Sequence, residues 1–358
     1  MDMARIDPNL KVECKISREN VSVFDVRKAP FQLHGIIPPT DAPEDKFRRI
    51  PEATALSVSK NVHWLHANTT GARLRFRTNS SYIAIHAEMP CIWKYSHDAL
   101  TGCAGFDLYA FENGRETYAH TFIPPYSIEN GFESEYTFPE KKMRELTLHF
   151  PLFSEVSKLY LYLDADAEVE PPRQYKHTKP VVYYGSSITH GGCASRPGNT
   201  YEAIISRMLD CDFLNLGFNG NAKAEDEIAA YIANLDMSVF VYDYDYNAPD
   251  ADHLRKTHER MFRIIRNKQP TLPIICASRP NYSGFPEDEE RRQIIMQTVG
   301  RAKAAGDANV IFVDGKEYFS DCYTGCELVD GCHPTDVGFL RMAEKIGKEI
   351  AVFLDKNP

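Results

Sequence analysis

The chain has 358 residues, a length that favours two domains over one. Hydrophobic residues make up 43% and charged residues 25%, which is ordinary for a folded globular protein and excludes disorder of the whole chain. The formal net charge of -9 gives no electrostatic reason to bind a polyanion, so we expect no nucleic-acid partner. We expect a cytoplasmic protein that does not bind membranes, since no apolar run reaches the roughly 18 to 20 residues of a membrane helix and no signal-peptide pattern is seen.

The N-terminal half reads as a series of short strands. Its runs are rich in β-branched and aromatic residues, and alternation such as that of Leu74 with Phe76 is typical of half-buried strands. The Asn-Gly pair at 113–114 indicates a hairpin turn. We therefore predict an antiparallel β-sandwich of the jelly-roll kind for residues 1–170.

After this half the pattern changes. A segment rich in proline and charge at 171–180 predicts a linker, and from 181 to 358 short apolar runs alternate with helical patterns. The predicted strands are VVYYG at 181–185, FLNLG at 213–217, SVFVYDYDY at 238–246, PIICAS at 273–278 and NVIFVDG at 309–315. This alternation predicts an α/β domain with a five-stranded parallel sheet covered by helices on both faces. An active site is expected at the carboxyl ends of its strands.

The nine cysteines do not have the pattern of a disulfide framework, because their number is odd and they are spread over the chain. Cys322, Cys326, Cys332 and His333 lie close together in sequence and could be read as part of a zinc site. Their spacings lack the paired C-x-x-C knuckle of such sites, and a different role suits His333 better. We therefore predict neither a metal nor an organic cofactor.

The first strand of the second half ends in Gly-Ser-Ser-Ile-Thr-His-Gly-Gly at 185–192. A serine in a glycine-bounded turn from a strand to a helix is presented with backbone N–H groups around it, so Ser186 or Ser187 is a candidate nucleophile. Taken alone, the segment fits a turn with capping serines better than a catalytic one.

A candidate base lies near the other end of the chain. Asp330 and His333 follow the last predicted strand, and an aspartate three residues before a histidine can hold its Nδ1–H while Nε2 faces a nucleophile. Alone, the pair is more often a polar loop. Because the segment should lie at the same sheet edge as the serines, the two signals reinforce each other.

Acyl transfer also needs donors for an oxyanion. Gly220 follows the second predicted strand and could bring its backbone N–H close to a ligand, while Asn247 follows the third and could offer a side-chain amide. Such residues are usually turn formers, but their place after successive strands favours the functional interpretation.

Together the four segments resemble the SGNH hydrolases, the GDSL-type esterase superfamily. The resemblance implies a flavodoxin-like three-layer α/β/α domain and a triad of Ser187, His333 and Asp330. It also implies an oxyanion hole formed by the N–H groups of Ser187 and Gly220 and the side chain of Asn247.

The resemblance spans residues 178–356 and includes two departures from the family pattern. Ser186 stands where many members have aspartate, and Asp245 stands where glycine is usual before the asparagine. In the first half, Gly-Phe-Asp-Leu-Tyr at 105–109 looks like the signature of the GxDLY domain that precedes a subset of these hydrolases.

Four further residues are candidates for substrate contact. The loop at 88–105 carries Trp93 and Tyr95, which could offer a sugar-stacking surface, although Trp93 is equally suited to a core or interface position. The pentapeptide CASRP occurs twice after predicted strands, either by coincidence or because Arg196 or Arg279 contacts substrate.

The predicted function is hydrolysis of a short-chain ester, preferably an acetyl ester on a carbohydrate, through an acyl-enzyme. Strand-end loops too short for a lipase lid favour a short acyl group. A small-molecule or oligosaccharide ester is the expected partner, and a homo-oligomer is left open. The alternatives are a lipid-directed esterase or thioesterase and a catalytically silent carbohydrate-binding protein.

Overall fold

The computed structural model describes residues 11–280, 286–320 and 325–356. The N-terminal part consists of two antiparallel sheets. The first sheet contains β1 (Val21–Asp25), β4 (Tyr82–Glu88), β7 (Gly131–Thr137) and β9 (Lys158–Asp164) in the order β1-β9-β4-β7. The second sheet contains β2 (Gln32–His34), β3 (Arg73–Thr78), β5 (Phe106–Glu112), β6 (Arg115–Phe122), β8 (Arg144–His149) and β10 (Val169–Glu170). Its order is β10-β3-β8-β5-β6, with β2 paired to β3, so the predicted sandwich is confirmed.

The apolar faces of the two sheets form one core. Ile85 of β4 and Leu161 of β9 face Leu74 of β3 and Leu148 of β8, and all four side chains are fully buried. Burial of each such side chain stabilises the fold by roughly 1.5 to 3 kcal/mol. The alternation of these strands in the sequence therefore reports which residues enter the core.

The predicted hairpin joins β5 to β6. Asn113 and Gly114 have φ angles of 52° and 80°, and Glu112 pairs with Arg115 across the turn. Positive φ at both central residues is the requirement of a type I′ turn, which Asn-Gly meets with little strain.

The C-terminal part is built on one parallel sheet. Its strands are β11 (His177–Gly185), β12 (Cys211–Gly217), β13 (Val239–Asp243), β14 (Ile274–Ala277) and β15 (Val310–Val313). They are ordered β12-β11-β13-β14-β15. The second strand lies on one side of the first, and the remaining three follow one another on its other side. This is the doubly wound order of flavodoxin-like folds, as predicted. The predicted linker at 171–180 ends inside β11, whose first residue His177 pairs with Cys211.

Helices cover both faces of this sheet. They are α4 (Ser187–His190), α5 (Tyr201–Leu209), α6 (Asp226–Ala233), α7 (Ala251–Lys268), α8 (Pro286–Ala304) and α9 (Asp336–Lys356). Val181 and Tyr183 of β11 face α5 and α9, whereas Val182 and Tyr184 face α6, α7 and α8. None of the helices in the described part of the chain combines the length and apolar character needed to cross a membrane.

The two parts share a continuous interface. Helix α1 (Glu52–Val58) packs against α6, and α2 (Lys60–Leu65) contributes Val62 and Leu65 to the same core. A third short helix, α3 (Leu100–Ala104), precedes β5. Between the parts, the buried guanidinium of Arg49 donates to the carbonyl oxygens of Asn215 (3.0 Å) and Gly217 (2.8 Å). Since these carbonyls belong to β12, the interface fixes the N-terminal part against the parallel sheet.

Candidate active site

Ser186 and Ser187 occupy the turn between β11 and α4. A side chain at Gly185 would lie 2.1 Å from the carbonyl oxygen of Asp243, so glycine is needed where β11 passes β13. The hydroxyl of Ser186 accepts a hydrogen bond from Ile188 N–H (3.1 Å) and caps α4, and Ser187 is the first residue of the helix. The backbone N–H of Ser187 therefore has no acceptor within the helix and can donate to a ligand.

His333 lies beside Ser187 although 146 positions separate them in the chain. Ser187 Oγ is 2.8 Å from His333 Nε2, and His333 Nδ1 is 2.8 Å from Asp330 Oδ2. With Nδ1–H directed at the carboxylate, the lone pair on Nε2 faces the hydroxyl. The three predicted residues thus form one hydrogen-bonded line, the geometry of a serine nucleophile with its base.

Asp330 is held in its ionised form. Burial raises its pKa, but hydrogen bonds from the backbone and ring of His333 and from Cys332 N–H outweigh burial and lower the pKa to about 2. Asp330 therefore stays negatively charged at neutral pH. In this state it can orient the imidazole and stabilise the positive charge that His333 acquires with a proton.

Gly220 and Asn247 lie in adjoining loops that follow β12 and β13. Asn247 Oδ1 accepts from Ala222 N–H (3.1 Å), which turns its Nδ2 donor away from that contact. Gly220 has φ of 82°, in the region that favours glycine, while a side chain there would meet no atom within 4 Å. Backbone conformation rather than lack of space thus favours glycine, and the role of both residues in binding an oxyanion stays a prediction.

Asp245, which stands where SGNH hydrolases usually have glycine, is buried beneath the loop of Asn247. Its carboxylate accepts from Arg291 Nε (2.8 Å) and from the backbone N–H of Arg279 (3.1 Å). Arg291 also donates to the carbonyl oxygen of Ala248 (2.9 Å). Because an unpaired buried charge is strongly unfavourable, this departure is accommodated by arginines that bind both the carboxylate and the loop.

Two family models match the chain. Residues 178–351 match the GDSL-like lipase/acylhydrolase family, and residues 21–169 match GxDLY, described as the N-terminus of SGNH-type esterases. The C-terminal part of the chain is a GDSL-like lipase/acylhydrolase domain, and the N-terminal part is a GxDLY domain. The resemblance inferred from the sequence is thereby confirmed, and the protein is a carboxylic ester hydrolase.

Solved structures of similar fold cover nearly the whole chain. One, from Bacteroides ovatus ATCC 8483 and described as a GDSL-like lipase, has 26% identity and a TM-score of 0.81 and covers 94% of this chain and 98% of its own. A salicylyl-acyltransferase, SsfX3, from a tetracycline biosynthetic pathway has 20% identity, a TM-score of 0.74 and the same coverage. An acetyl xylan esterase from Butyrivibrio proteoclasticus has 12% identity and a TM-score of 0.57, covering 95% and 100%. Among curated proteins, no relative matches.

In this GDSL-like hydrolase the GxDLY signature joins the two parts of the molecule. The buried carboxylate of Asp107 accepts from Arg196 Nη1 (3.0 Å) and Gly198 N–H (2.9 Å), and from the hydroxyl of Thr121 (2.8 Å). Arg196 Nη1 also donates to the hydroxyl of Tyr109 (2.6 Å). The aspartate and the tyrosine of the signature thus bind one segment of the hydrolase domain, residues 195–199.

The same segment contacts the helix that follows His333. Ser195 N–H donates to Asp336 Oδ1 (2.9 Å), and Asn199 Nδ2 donates to Asp336 Oδ2 (2.9 Å). Asp336 is the first residue of α9. The GxDLY signature is therefore connected through 195–199 to the chain segment that carries the base.

Trp93 and Tyr95 lie at different places along the same loop. The hydroxyl of Tyr95 accepts from Asn219 Nδ2 (3.0 Å), next to Gly220, so this side chain reaches the predicted oxyanion loop. Trp93 lines a cavity of about 670 Å³ in the N-terminal part, together with Trp64. The loop thus extends from this cavity to the active site, and the predicted sugar contacts stay predictions.

The two arginines of the repeated CASRP pentapeptide, Arg196 and Arg279, each form an ion pair with a carboxylate of the protein. Arg196 binds Asp107, and Arg279 binds Asp245 at 3.3 Å between Nη2 and Oδ1. Both arrangements favour a structural role for the CASRP segments. Contact of either arginine with substrate stays a prediction.

His97 is a neighbour of the base that the sequence did not single out. Its ring centroid lies 5.4 Å from that of His333. The next residue, Asp98, accepts a hydrogen bond at Oδ1 from Cys193 N–H (2.7 Å). The sequence could have indicated this neighbour, because His97 follows Tyr95 by two residues in a loop that was expected to lie near the site.

Proposed function

We propose that the protein is a serine esterase that removes short acyl groups, preferably acetyl, from a carbohydrate through an acyl-enzyme on Ser187. The observation that carries the proposal is the continuous hydrogen-bonded line from the Ser187 hydroxyl through His333 to Asp330, with both links at 2.8 Å. Such a line makes a neutral hydroxyl a nucleophile at the moment of attack.

In the proposed reaction, His333 Nε2 takes the proton of Ser187 as the hydroxyl oxygen attacks the ester carbonyl. The resulting oxyanion accepts hydrogen bonds from the N–H groups of Ser187 and Gly220 and from Asn247 Nδ2, each worth about 10²- to 10³-fold in rate. His333 then gives its proton to the leaving alcohol. Water repeats the sequence on the acyl-enzyme and releases the acid.

Two observations support a carbohydrate as the alcohol part of the substrate. Similar folds include an acetyl xylan esterase and a family two carbohydrate esterase from Clostridium thermocellum in complex with cellohexaose. In this chain Tyr95 contacts the loop of Gly220, and Trp64 and Trp93 line one cavity further along. Aromatic side chains bearing polar groups suit the faces and hydroxyls of sugars.

A chain-length series tests the acyl specificity. p-Nitrophenyl acetate, butyrate and octanoate are offered as substrates to the wild type and to Ser187→Ala, and acetylated xylan and acetylated cello-oligosaccharides are assayed for acetate release. We expect the highest kcat/KM with acetate, release of acetate from at least one saccharide, and no activity in the variant. A maximum at octanoate would favour the lipid-directed alternative. Silence of the wild type on every ester would favour a binding protein.

A further inference from the structure

Three potential metal ligands from separate segments meet at His333. His97 of the loop after β4, Cys193 of the turn after α4, and His333 each offer one ligand atom, and these atoms all lie within 4.8 Å of one another. The hydrogen bond from Cys193 N–H to Asp98 (2.7 Å) ties the segments of Cys193 and His97 together. The cluster differs from the one considered from the sequence: Cys322 lies outside the described residues, and Cys326 and Cys332 are not members of it.

The ligand types suit Zn²⁺. Imidazole nitrogen and thiolate sulfur are among its preferred ligands, at bond lengths of about 2.0 to 2.3 Å that put neighbouring ligand atoms about 3.3 to 3.8 Å apart. The separations within 4.8 Å therefore need to shorten by only about 1 Å. His97 is exposed, so its side chain has room to rotate toward Cys193 and His333.

The surroundings of the cluster favour a cation. His333 Nδ1 is 2.8 Å from Asp330 Oδ2, and a carboxylate on the second ring nitrogen is a common partner of zinc-binding histidines. The negatively charged carboxylates of Asp98 and Asp330 lie close to the Cys193 thiol. The same negative charges attract a divalent cation, which displaces the thiol proton to solvent when it binds.

We infer that His97, Cys193 and His333 form a reversible Zn²⁺ site whose occupation switches the hydrolase off. In the metal-free protein, Nε2 of His333 is 2.8 Å from the hydroxyl of Ser187. A Zn²⁺ ion on this nitrogen takes its lone pair, so His333 no longer accepts the serine proton. The inhibition rests on the proposed function, whereas binding of the ion does not.

Metal binding is tested on Ser187→Ala protein with Co²⁺ as a spectroscopic probe. Addition of Co²⁺ to the metal-free variant is expected to produce a thiolate-to-cobalt absorption band that saturates at one equivalent and disappears when Zn²⁺ is added. A further Cys193→Ser change should abolish the band, whereas Cys326→Ser, at an exposed cysteine outside the cluster, should leave it intact. Absence of the band from protein that retains Cys193 would overturn the site.

Inhibition is tested on the hydrolysis of p-nitrophenyl acetate. We expect Zn²⁺ to inhibit the wild type and EDTA to restore it. His97→Ala and Cys193→Ser should each raise the half-inhibiting concentration at least about tenfold, and His63→Ala, in the tryptophan-lined cavity and outside the cluster, should not. Equal inhibition of all variants would overturn the three-residue site. A cobalt band in a protein that hydrolyses no ester would leave the metal site standing and count against the proposed function.

Discussion

The nucleophile and its base are held in place by different parts of the molecule. Ser187 is 9% exposed and sits in a turn whose backbone is bonded into the sheet through Ser186 N–H and the carbonyl oxygen of Asp243 (3.2 Å). His333 lies in a loop outside the sheet, with Asp330 more than a third exposed. The turn of the serine is bonded directly into the sheet, whereas the base depends on its own loop and on 195–199, which is bound to the N-terminal part.

The largest effect is expected from Ser187→Ala. Loss of the nucleophile should lower kcat/KM for p-nitrophenyl acetate by at least about 10⁴-fold without a change in thermal unfolding. Ser186→Ala is the matched control, since it removes only the cap of α4 and should lower the free energy of unfolding by about 0.5 to 2 kcal/mol while keeping most of the activity. The reverse pattern would assign the nucleophile to Ser186.

Asn247→Ala should lower kcat by about 10²- to 10³-fold with a smaller change in KM, because the lost donor acts in the transition state. Asn247→Asp keeps an oxygen for Ala222 N–H but lacks the amide donor, so it separates support of the loop from stabilisation of the oxyanion. Activity of the aspartate variant close to that of wild type would remove Asn247 from the oxyanion hole.

Asp107→Asn tests whether the base depends on the N-terminal part. The change weakens the bonds to Arg196 and Gly198, and we expect about 1 to 3 kcal/mol less stability and about a tenfold lower kcat through displacement of the His333 segment. Asp226→Asn, which removes an exposed ion pair with Arg260, is the control and should change stability by less than about 1 kcal/mol. A stability loss with unchanged kcat would show that the base is positioned by its own loop.

Asp243→Asn should change the rate least and the pH dependence of stability most. Burial, aided by the charge of Asp245, raises the pKa of Asp243 to about 7 against the attraction of the Tyr201 hydroxyl. Because the folded-state pKa exceeds the unfolded value of 3.8, its contribution to stability is full below about pH 4 and is lost as the pH rises through about 7. The free energy of unfolding, measured with urea, should therefore fall by about 1.4 kcal/mol per pH unit between about pH 4 and 7 because of this group. The fall should be smaller in the variant.

The slope will not vanish in that variant, because the buried carboxyl of Glu202 also has a raised pKa. A double change of Asp243→Asn with Glu202→Gln should flatten the curve further. An identical pH profile for wild type and Asp243→Asn would mean that folding does not raise the pKa of Asp243.

The sequence was most informative where local rules govern structure. Alternation in β3 predicted the sandwich core, and Asn113 with Gly114 predicted the turn between β5 and β6, because side-chain direction and positive φ are set by a few neighbouring residues. The order of the serine and histidine segments along the α/β pattern also placed both at one sheet edge. Because the carboxyl ends of parallel strands lie at one edge of the sheet, this inference does not need the exact bounds of any strand or helix.

Contacts between distant segments were beyond these rules. The sequence singled out Asp245 as a departure but could not pair it with Arg291, and it did not predict the ion pair of Arg196 with Asp107. It placed the loop of Tyr95 near the site yet passed over His97. Each of these contacts depends on where loops of the two parts meet, and the spacing of hydrophobic residues along the sequence does not predict this.

The tryptophan-lined cavity makes the protein its own fluorescent reporter. The chain has two tryptophans, Trp64 and Trp93, and both line that cavity in the N-terminal part. Tryptophan emission therefore comes from one place, so a saccharide that enters the cavity changes the signal without any chemistry at Ser187. Occupancy of the cavity and turnover of ester can thus be followed as two independent signals in one sample.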